Sequence, residues 1–232
     1  MARTSGINGG VYTSPTVVED CEDAWNEHTE SGVAQSTTTG KVGTNAHRST
    51  TTSVGIALLA SEVISKDLSG YDALVWWARS SLSPTAGQLQ MLLDDTAECA
   101  SALETLNFPA LTADTWQMCF GLFADASALS SLVSIGLYSA ADLGDGTFDV
   151  DDVNALVEID GIKSWTLDYV YDMHDGTAFD DSGVGNFTVG ASRWSGTFEG
   201  FKSTMPITIG TEAWILLGES GTAGQGWLGK AV

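Results

Sequence analysis

Three adjacent carboxylate pairs, Asp94-Asp95, Asp151-Asp152 and Asp180-Asp181, are the residues of this sequence best suited by type to acid–base chemistry. Two carboxylates hydrolyse a glycosidic bond when they converge on it from several ångströms apart. Neighbours in an extended chain point to opposite faces, so adjacency works against convergence. The pairs are therefore expected at solvated turns and strand ends. No Gly-x-Ser-x-Gly elbow, Walker loop or complete Gly-x-Gly-x-x-Gly occurs. The expectation is a protein that is not an enzyme and requires no small-molecule cofactor.

Metal-binding patterns are equally thin. Asp145, Gly146, Asp149 and Asp152 match later positions of an EF-hand loop, but Ala141 and Leu143 would fill its first and third positions and cannot ligate by side chain. His28, His47 and His174 have no zinc-like spacing with Cys21, Cys99 and Cys119. Three widely spaced cysteines read as buried or free thiols, with a Cys99–Cys119 bridge as the alternative. Trp76 and Trp77 fall on opposite faces of one strand. Trp77 shares its face with Arg79 and could stack on a sugar ring, whereas the competing reading packs both tryptophans, one in a core and one at a subunit contact. Asn186-Phe187-Thr188 fits a glycosylation sequon, here expected to be incidental.

The chain of 232 residues holds one large β domain or two small ones, and 43% hydrophobic residues exclude a disordered chain. Thirty acidic residues against nine basic give a net charge of −21, which argues against a phosphate-gripping nucleic-acid binder and offers no basic patch to a membrane. No run approaches the roughly 18 apolar residues of a membrane span, and the first ten residues show no secretory signal.

The organising stretch is Gly161 to Gly200. Trp165, Leu167 and Tyr169 alternate with Ser164, Thr166 and Asp168, and Trp194, Gly196, Phe198 and Gly200 alternate with Arg193, Ser195, Thr197 and Glu199. Both are period-two strands able to pair antiparallel. Between them, Tyr171 to Gly185 is polar, Gly-rich and too long for a simple hairpin turn. The order Gly161-x-x-x-Trp165-x-x-Asp168, then Thr177-Ala178-Phe179-Asp180-Asp181, then Trp194-Ser195-Gly196-Thr197-Phe198-Glu199-Gly200 resembles the tail tube proteins of long-tailed bacteriophages. Their Gly-rich opening strand resembles Gly6 to Tyr12, but the Val157-Glu158-Ile159 element expected to follow arrives only after more than a hundred residues. An insertion at an exposed connection accounts for this.

The intervening piece contains strand-like runs at 53–59, 73–79, 87–93, 115–120, 133–138 and 146–153, separated by Gly, Ser, Asp and Pro. Its Glu19-Asp20-Cys21-Glu22-Asp23 opening with Trp25, its Leu68-Ser69-Gly70-Tyr71-Asp72-Ala73-Leu74 lead, its Thr115-Trp116-Gln117 strand start and its Phe148-Asp149-Val150-Asp151-Asp152-Val153 close resemble carbohydrate-binding-module jelly rolls of the galactose-binding type. That resemblance implies a structural calcium joining Glu22 to Asp152. Helices are expected at Ala124–Leu132 and at Thr211–Leu217, the latter capped by Thr211 and Gly218 and matching the single helix of the tail-tube pattern.

The expected fold is all-β with one or two short helices: a discontinuous tail-tube-like domain at 1–20 and 157–232, interrupted by a jelly-roll sandwich at 21–156. The first resemblance implies a virion protein assembled in the bacterial cytoplasm, stacking as homo-hexameric rings into a tube that contacts other tail proteins and passes DNA without binding it specifically. Ser164, Thr166, Asp168, Ser195, Thr197 and Glu199 would line the channel, and Asp175, Thr177, Phe179, Asp180 and Asp181 would reach the next ring. The insert would project outward, towards host-surface glycans. The alternatives are a non-catalytic carbohydrate-binding protein, with Trp77 and Arg79 in the site, and a capsid decoration protein.

Overall fold

The structure, a computed structural model, describes residues 2–6, 11–26, 28, 30–159, 162–175, 187–200, 213–218 and 226–231. Within them the chain is nearly all strand and every pairing is antiparallel. One layer is a four-stranded sheet in the order β5 (Ala57–Lys66), β10 (Leu132–Ser139), β7 (Leu89–Asp94), β8 (Glu104–Asn107). The facing layer runs β3 (Val33–Thr39), β4 (Asn45–Thr51), β11 (Gly146–Glu158), β6 (Ala73–Ser80), β9 (Gln117–Leu122). The two form a sandwich, as alternating short strands between turn residues predict.

The sandwich closes on side chains that alternate inward from both layers. Trp76, Leu74, Phe148, Val150 and Cys119 meet Leu59, Met91, Leu93, Ile135 and Leu137, all buried in one cluster. Trp76 packs edge-on against Phe108 with ring centroids 5.1 Å apart. At 13 residues, β11 outruns its neighbours. Its first half pairs with β4 and its second with β2 (Val11–Glu19) along the same edge. β2 in turn carries β14 (Ala213–Gly218), which pairs with β15 (Gly226–Ala231). A separate three-stranded sheet places β12 (Ile162–Asp175) between β1 (Ala2–Gly6) and β13 (Phe187–Gly200). Segments at the start of the sequence thus pair with strands that follow the sandwich.

Neither expected helix forms. Ala124–Leu132 contains only a three-residue 3-10 turn, Ala126–Ala128, opened by the Ser127 N–H donating to the Asp125 carboxylate. Within 211–217, the described residues are strand β14, with Gly218 as its last rung rather than a cap. Five apolar residues in a row do not distinguish helix from strand, and the open edge of β2 supplies a partner. The polar connector expected from Tyr171 begins later, since β12 runs to Asp175 and β13 starts at Phe187, with Asp175 paired to Phe187. Strands β3, β4 and β8 escaped the pattern because they are Thr-, Ser- and Asn-rich. The expected run at 53–59 is strand only from Ala57.

The expectation about the acidic pairs also changes, whereas the thiol expectation holds. Asp94 and Asp151 are fully buried rather than at solvated ends. Burial raises the Asp94 pKa, but hydrogen bonds from Thr96 and Ser101 outweigh it and hold the carboxyl below its ordinary range. All three cysteines are buried free thiols, and burial pushes Cys99 up to about 11.

A buried polar relay crosses the sandwich. The Trp25 backbone N–H donates to Nδ1 of His47 at 3.0 Å, which leaves Nε2–H to donate to Ser49 Oγ. Ser49 donates to Gln35 Oε1, and Gln35 Nε2 donates to the Leu59 carbonyl in the opposite layer. His47 also stacks on Trp25, with centroids 4.8 Å apart. Burial lowers its pKa to about 3. The unfolded chain therefore binds a proton near pH 6.5 that the folded chain refuses, and stability contributed by neutral His47 is lost as pH falls from about 6.5 towards 3. Urea midpoints should decline across that window, by up to a few kcal/mol in unfolding free energy. A His47→Gln variant, which keeps one acceptor and one donor, should be less stable at pH 7 yet show a flatter decline.

Candidate functional site

Strand β11 presents Phe148 and Val150 to the core and Asp149 and Asp151 to the other side of its sheet. Asp149 lies between two cross-strand arginines, Arg48 on β4 and Arg79 on β6. Arg48 approaches side-on, with Nε donating to Oδ1 at 2.7 Å and Nη2 to Oδ2 at 2.9 Å. Arg79 Nε donates to Oδ2 at 2.8 Å. The Asp149 side chain is 1% exposed, whereas Arg48 and Arg79 are 28% and 24% exposed. One desolvated carboxylate therefore holds two partly wet guanidiniums in fixed orientation. Its hydrogen bonds raise the Arg48 pKa further.

The same face carries two half-buried tryptophans. Trp77 is two residues from Arg79 and directly opposite Asp151. Trp116 immediately precedes β9, and the Arg79 guanidinium carbon sits 4.7 Å from its ring centroid. Lys41 Nζ lies 5.0 Å from the Trp77 ring centroid. Arg79 also reaches Thr38 on β3 at 3.5 Å. The result is a strip crossing all five strands of the layer: aromatic rings at one side, a guanidinium–carboxylate–guanidinium row at the other.

Lys41 is placed there by the turn between β3 and β4. Its backbone N–H and that of Val42 donate to Asp151 Oδ2 at 2.6 and 2.8 Å. The Thr44 and Asn45 N–H groups donate to the two Glu22 oxygens at 2.8 and 2.9 Å. Gly43 has φ +65°, and a Cβ there would stand 1.9 Å from Glu22 Oε1, so only glycine lets the turn close on this carboxylate.

The calcium expectation falls on this corner. Glu22 spends each oxygen on a backbone N–H, and Asp152 Oδ1 accepts from the Asn154 amide at 2.8 Å. Asp151 Oδ1 is buried without a hydrogen-bond partner, and burial, aided by Asp152 and Glu22, raises its pKa. Among the described residues no three His, Cys, Asp or Glu side chains gather as a metal would require. The donors around Glu22 and Asp152 do not make a calcium cage: amides of the turn hold Glu22, and the Asn154 side-chain amide holds Asp152.

The six residues expected to line a channel come together on the hairpin. Ser164 pairs with Glu199, Thr166 with Thr197 and Asp168 with Ser195. The Thr166 and Thr197 hydroxyls hydrogen-bond at 2.7 Å, the β13 members are exposed and the β12 members half-buried. Asp175 is paired in the strand, whereas Thr177, Phe179, Asp180, Asp181 and the sequon's Asn186 lie outside the described residues. Sequence reasoning singled out Trp77 and Arg79 but missed Trp116, Arg48, Asp149 and Lys41. Strand alternation from Arg79 and Asp149 would have placed the arginines and the aspartate on one face had β4 been recognised. The turn that seats Lys41 left no such signal.

No protein-family model and no curated protein matches the sequence. Solved structures similar in fold include the family 11 carbohydrate-binding module of a cellulosomal cellulase of Clostridium thermocellum, 16% identical, covering 63% of this chain and 95% of that one with TM-score 0.45. The family 11 module from the same organism, in complex with a β-1,3-1,4-mixed-linked tetrasaccharide, is 15% identical over 65% of this chain and 89% of that one, TM-score 0.40. A family 30 module of another C. thermocellum cellulosomal cellulase is 15% identical over 69% and 99%, TM-score 0.34.

Neutralising the buried carboxylate should unsettle the whole row. Asp149→Asn should lower the unfolding free energy by about 1–3 kcal/mol by leaving two guanidiniums without their counter-charge. Urea denaturation measures it, and a double-mutant cycle with Arg48→Gln should show coupling between the two sites.

Proposed function

We propose that the protein is a non-catalytic carbohydrate-binding protein whose ligand lies across the outer face of the five-stranded layer. The observation that carries this reading is the pair Trp77 and Trp116, held half-exposed on the side of the sheet away from the core. Trp76, one residue from Trp77, fills that core completely, so the sequence spends its tryptophans on both sides of one strand. Aromatic rings offer a flat apolar surface to the C–H face of a sugar, while fixed polar groups at the margin sort hydroxyl positions. Arg48 and Arg79 are such groups. Both are locked by Asp149, so little rotamer freedom would be lost on binding.

On this reading residues 21–156 are the binding domain, inserted into a host domain formed by 1–20 and 157–232. What supports the insertion is the pairing of β1 with β12 and of β2 with β14. A second reading keeps the tail-tube resemblance for that host part, as a self-assembling subunit. It draws on the long β12–β13 hairpin, whose polar residues pair in register across one face. Hexameric rings, DNA passage and a virion location belong to this reading alone.

One preparation separates the two. Retention of the purified protein on polysaccharide columns, reduced about ten-fold or more by Trp77→Ala or Trp116→Ala with the thermal midpoint little changed, supports the glycan reading. Retention that ignores both substitutions overturns the assignment of the face. Negative-stain microscopy of the same sample should show rings or tubes if the hairpin drives assembly, and dispersed single particles overturn the tail-tube reading.

A further inference from the structure

Among residues 21–156 the lysines and arginines are Lys41, Arg48, Lys66 and Arg79, in a chain of net charge −21. Three of these four stand on the tryptophan face. Lys66 stands apart, its Nζ donating to the Val17 carbonyl. The cations of an acidic domain are thus gathered where the exposed rings are. We infer that the glycan this face takes is acidic, a polysaccharide carrying carboxylate groups such as uronic acids. The inference rests on the carbohydrate-binding reading and narrows it.

The way the carboxylates of the face are engaged favours an anion. Lys41, Arg48 and Arg79 stand near Asp149, Asp151, Glu22 and Asp152. Asp149 is spent on both arginines, the turn amides take up Asp151 and Glu22, and the Asn154 amide takes up Asp152, so the cations are the groups left to meet a ligand. The Nη1 groups of Arg48 and Arg79 make no hydrogen bond among the described residues, which leaves each guanidinium a directed donor for an incoming oxygen anion. A guanidinium held by one carboxylate is preorganised for a second.

The cations over the rings point the same way. Lys41 covers Trp77 and Arg79 lies over Trp116. A neutral sugar stacking on the covered side must displace a cation from a ring and offers it only uncharged hydroxyl acceptors in return. A uronate draws the same ammonium or guanidinium onto its carboxylate while its ring takes the indole. Lys41 is exposed and sits on a turn, so it can make this exchange without disturbing the sheet.

The test compares one backbone in two charge states. Affinity electrophoresis and calorimetry should use polygalacturonate, the same polymer fully methyl-esterified, and neutral mixed-linked β-glucan, each at about 20 mM and 500 mM NaCl. The expected result is binding of polygalacturonate about ten-fold or more tighter than its ester at low salt, with most of that preference lost at high salt, where the screening length falls below about 5 Å. Lys41→Gln should reduce the acid-over-ester preference about two- to five-fold. Equal binding of acid and ester, or tighter binding of the neutral glucan with no salt dependence, overturns the acidic-ligand inference and leaves the carbohydrate reading standing. Binding to none of the three overturns both.

Discussion

Two carboxylates on one strand are kept from water, and the outer face of the sandwich is arranged to answer them. Asp149 and Asp151 project from β11 on the side away from the core, 2% and 0% exposed. A buried carboxylate without partners is costly enough to give up its charge, so such groups are found paired or hydrogen-bonded. Asp149 is met by two arginines from the flanking strands. Asp151 is met by backbone amides of the β3–β4 turn. The first arrangement fixes the orientation of the guanidiniums, and the second fixes the height of the turn and with it Lys41 over Trp77. The polar half of the site is thus a consequence of solving a desolvation problem on the central strand.

The aromatic half follows from strand alternation. Consecutive tryptophans cannot both enter the core of a two-layer sandwich, so burying Trp76 commits Trp77 to the opposite face. That much was legible in the sequence, as were the all-β fold, most of the central strands and the two hairpin strands with their polar residues in register. Arg79 followed from Trp77 by the same period. Arg48 did not, because Asn45–Thr51 has no apolar alternation: its inward residues are His47 and Ser49, a polar relay that passes for a loop until Trp25 and Gln35 are seen to satisfy it. The seating of Lys41 was illegible for a different reason, since a turn clamped by remote carboxylates leaves no local period. Ala213–Gly218 failed in the other direction. Its apolar run suits a helix or a strand, and only the free edge of β2 decides.

The acidic pairs show how composition misleads about position. Adjacent aspartates look like solvated turns, yet the first member of two pairs is buried while its neighbour is not. In each of these two pairs one residue is covered by neighbouring structure, and local donors, Thr96 and Ser101 for Asp94 and the turn amides for Asp151, make that tolerable. The residue left over, Asp152, adopts φ +50° where the pairing of β11 slips, and its carboxylate turns to the Asn154 amide. The irregularity sits where β11 changes partners from β4 to β2, so one bulge both breaks the ladder and redirects a charge.

The handover from β4 to β2 also sets how the sandwich is tethered. Tyr12 lies opposite Glu158, and the Ile159 N–H donates to the Val11 carbonyl at 2.7 Å, so the chain enters and leaves the sandwich at a single rung. Tension pulled between the opening strands and the long hairpin would travel through that rung and bypass everything in between. Once β1 had parted from β12, the load would peel β2 from β11 one bond at a time, as a zipper opens, while the layer bearing the tryptophans stayed slack.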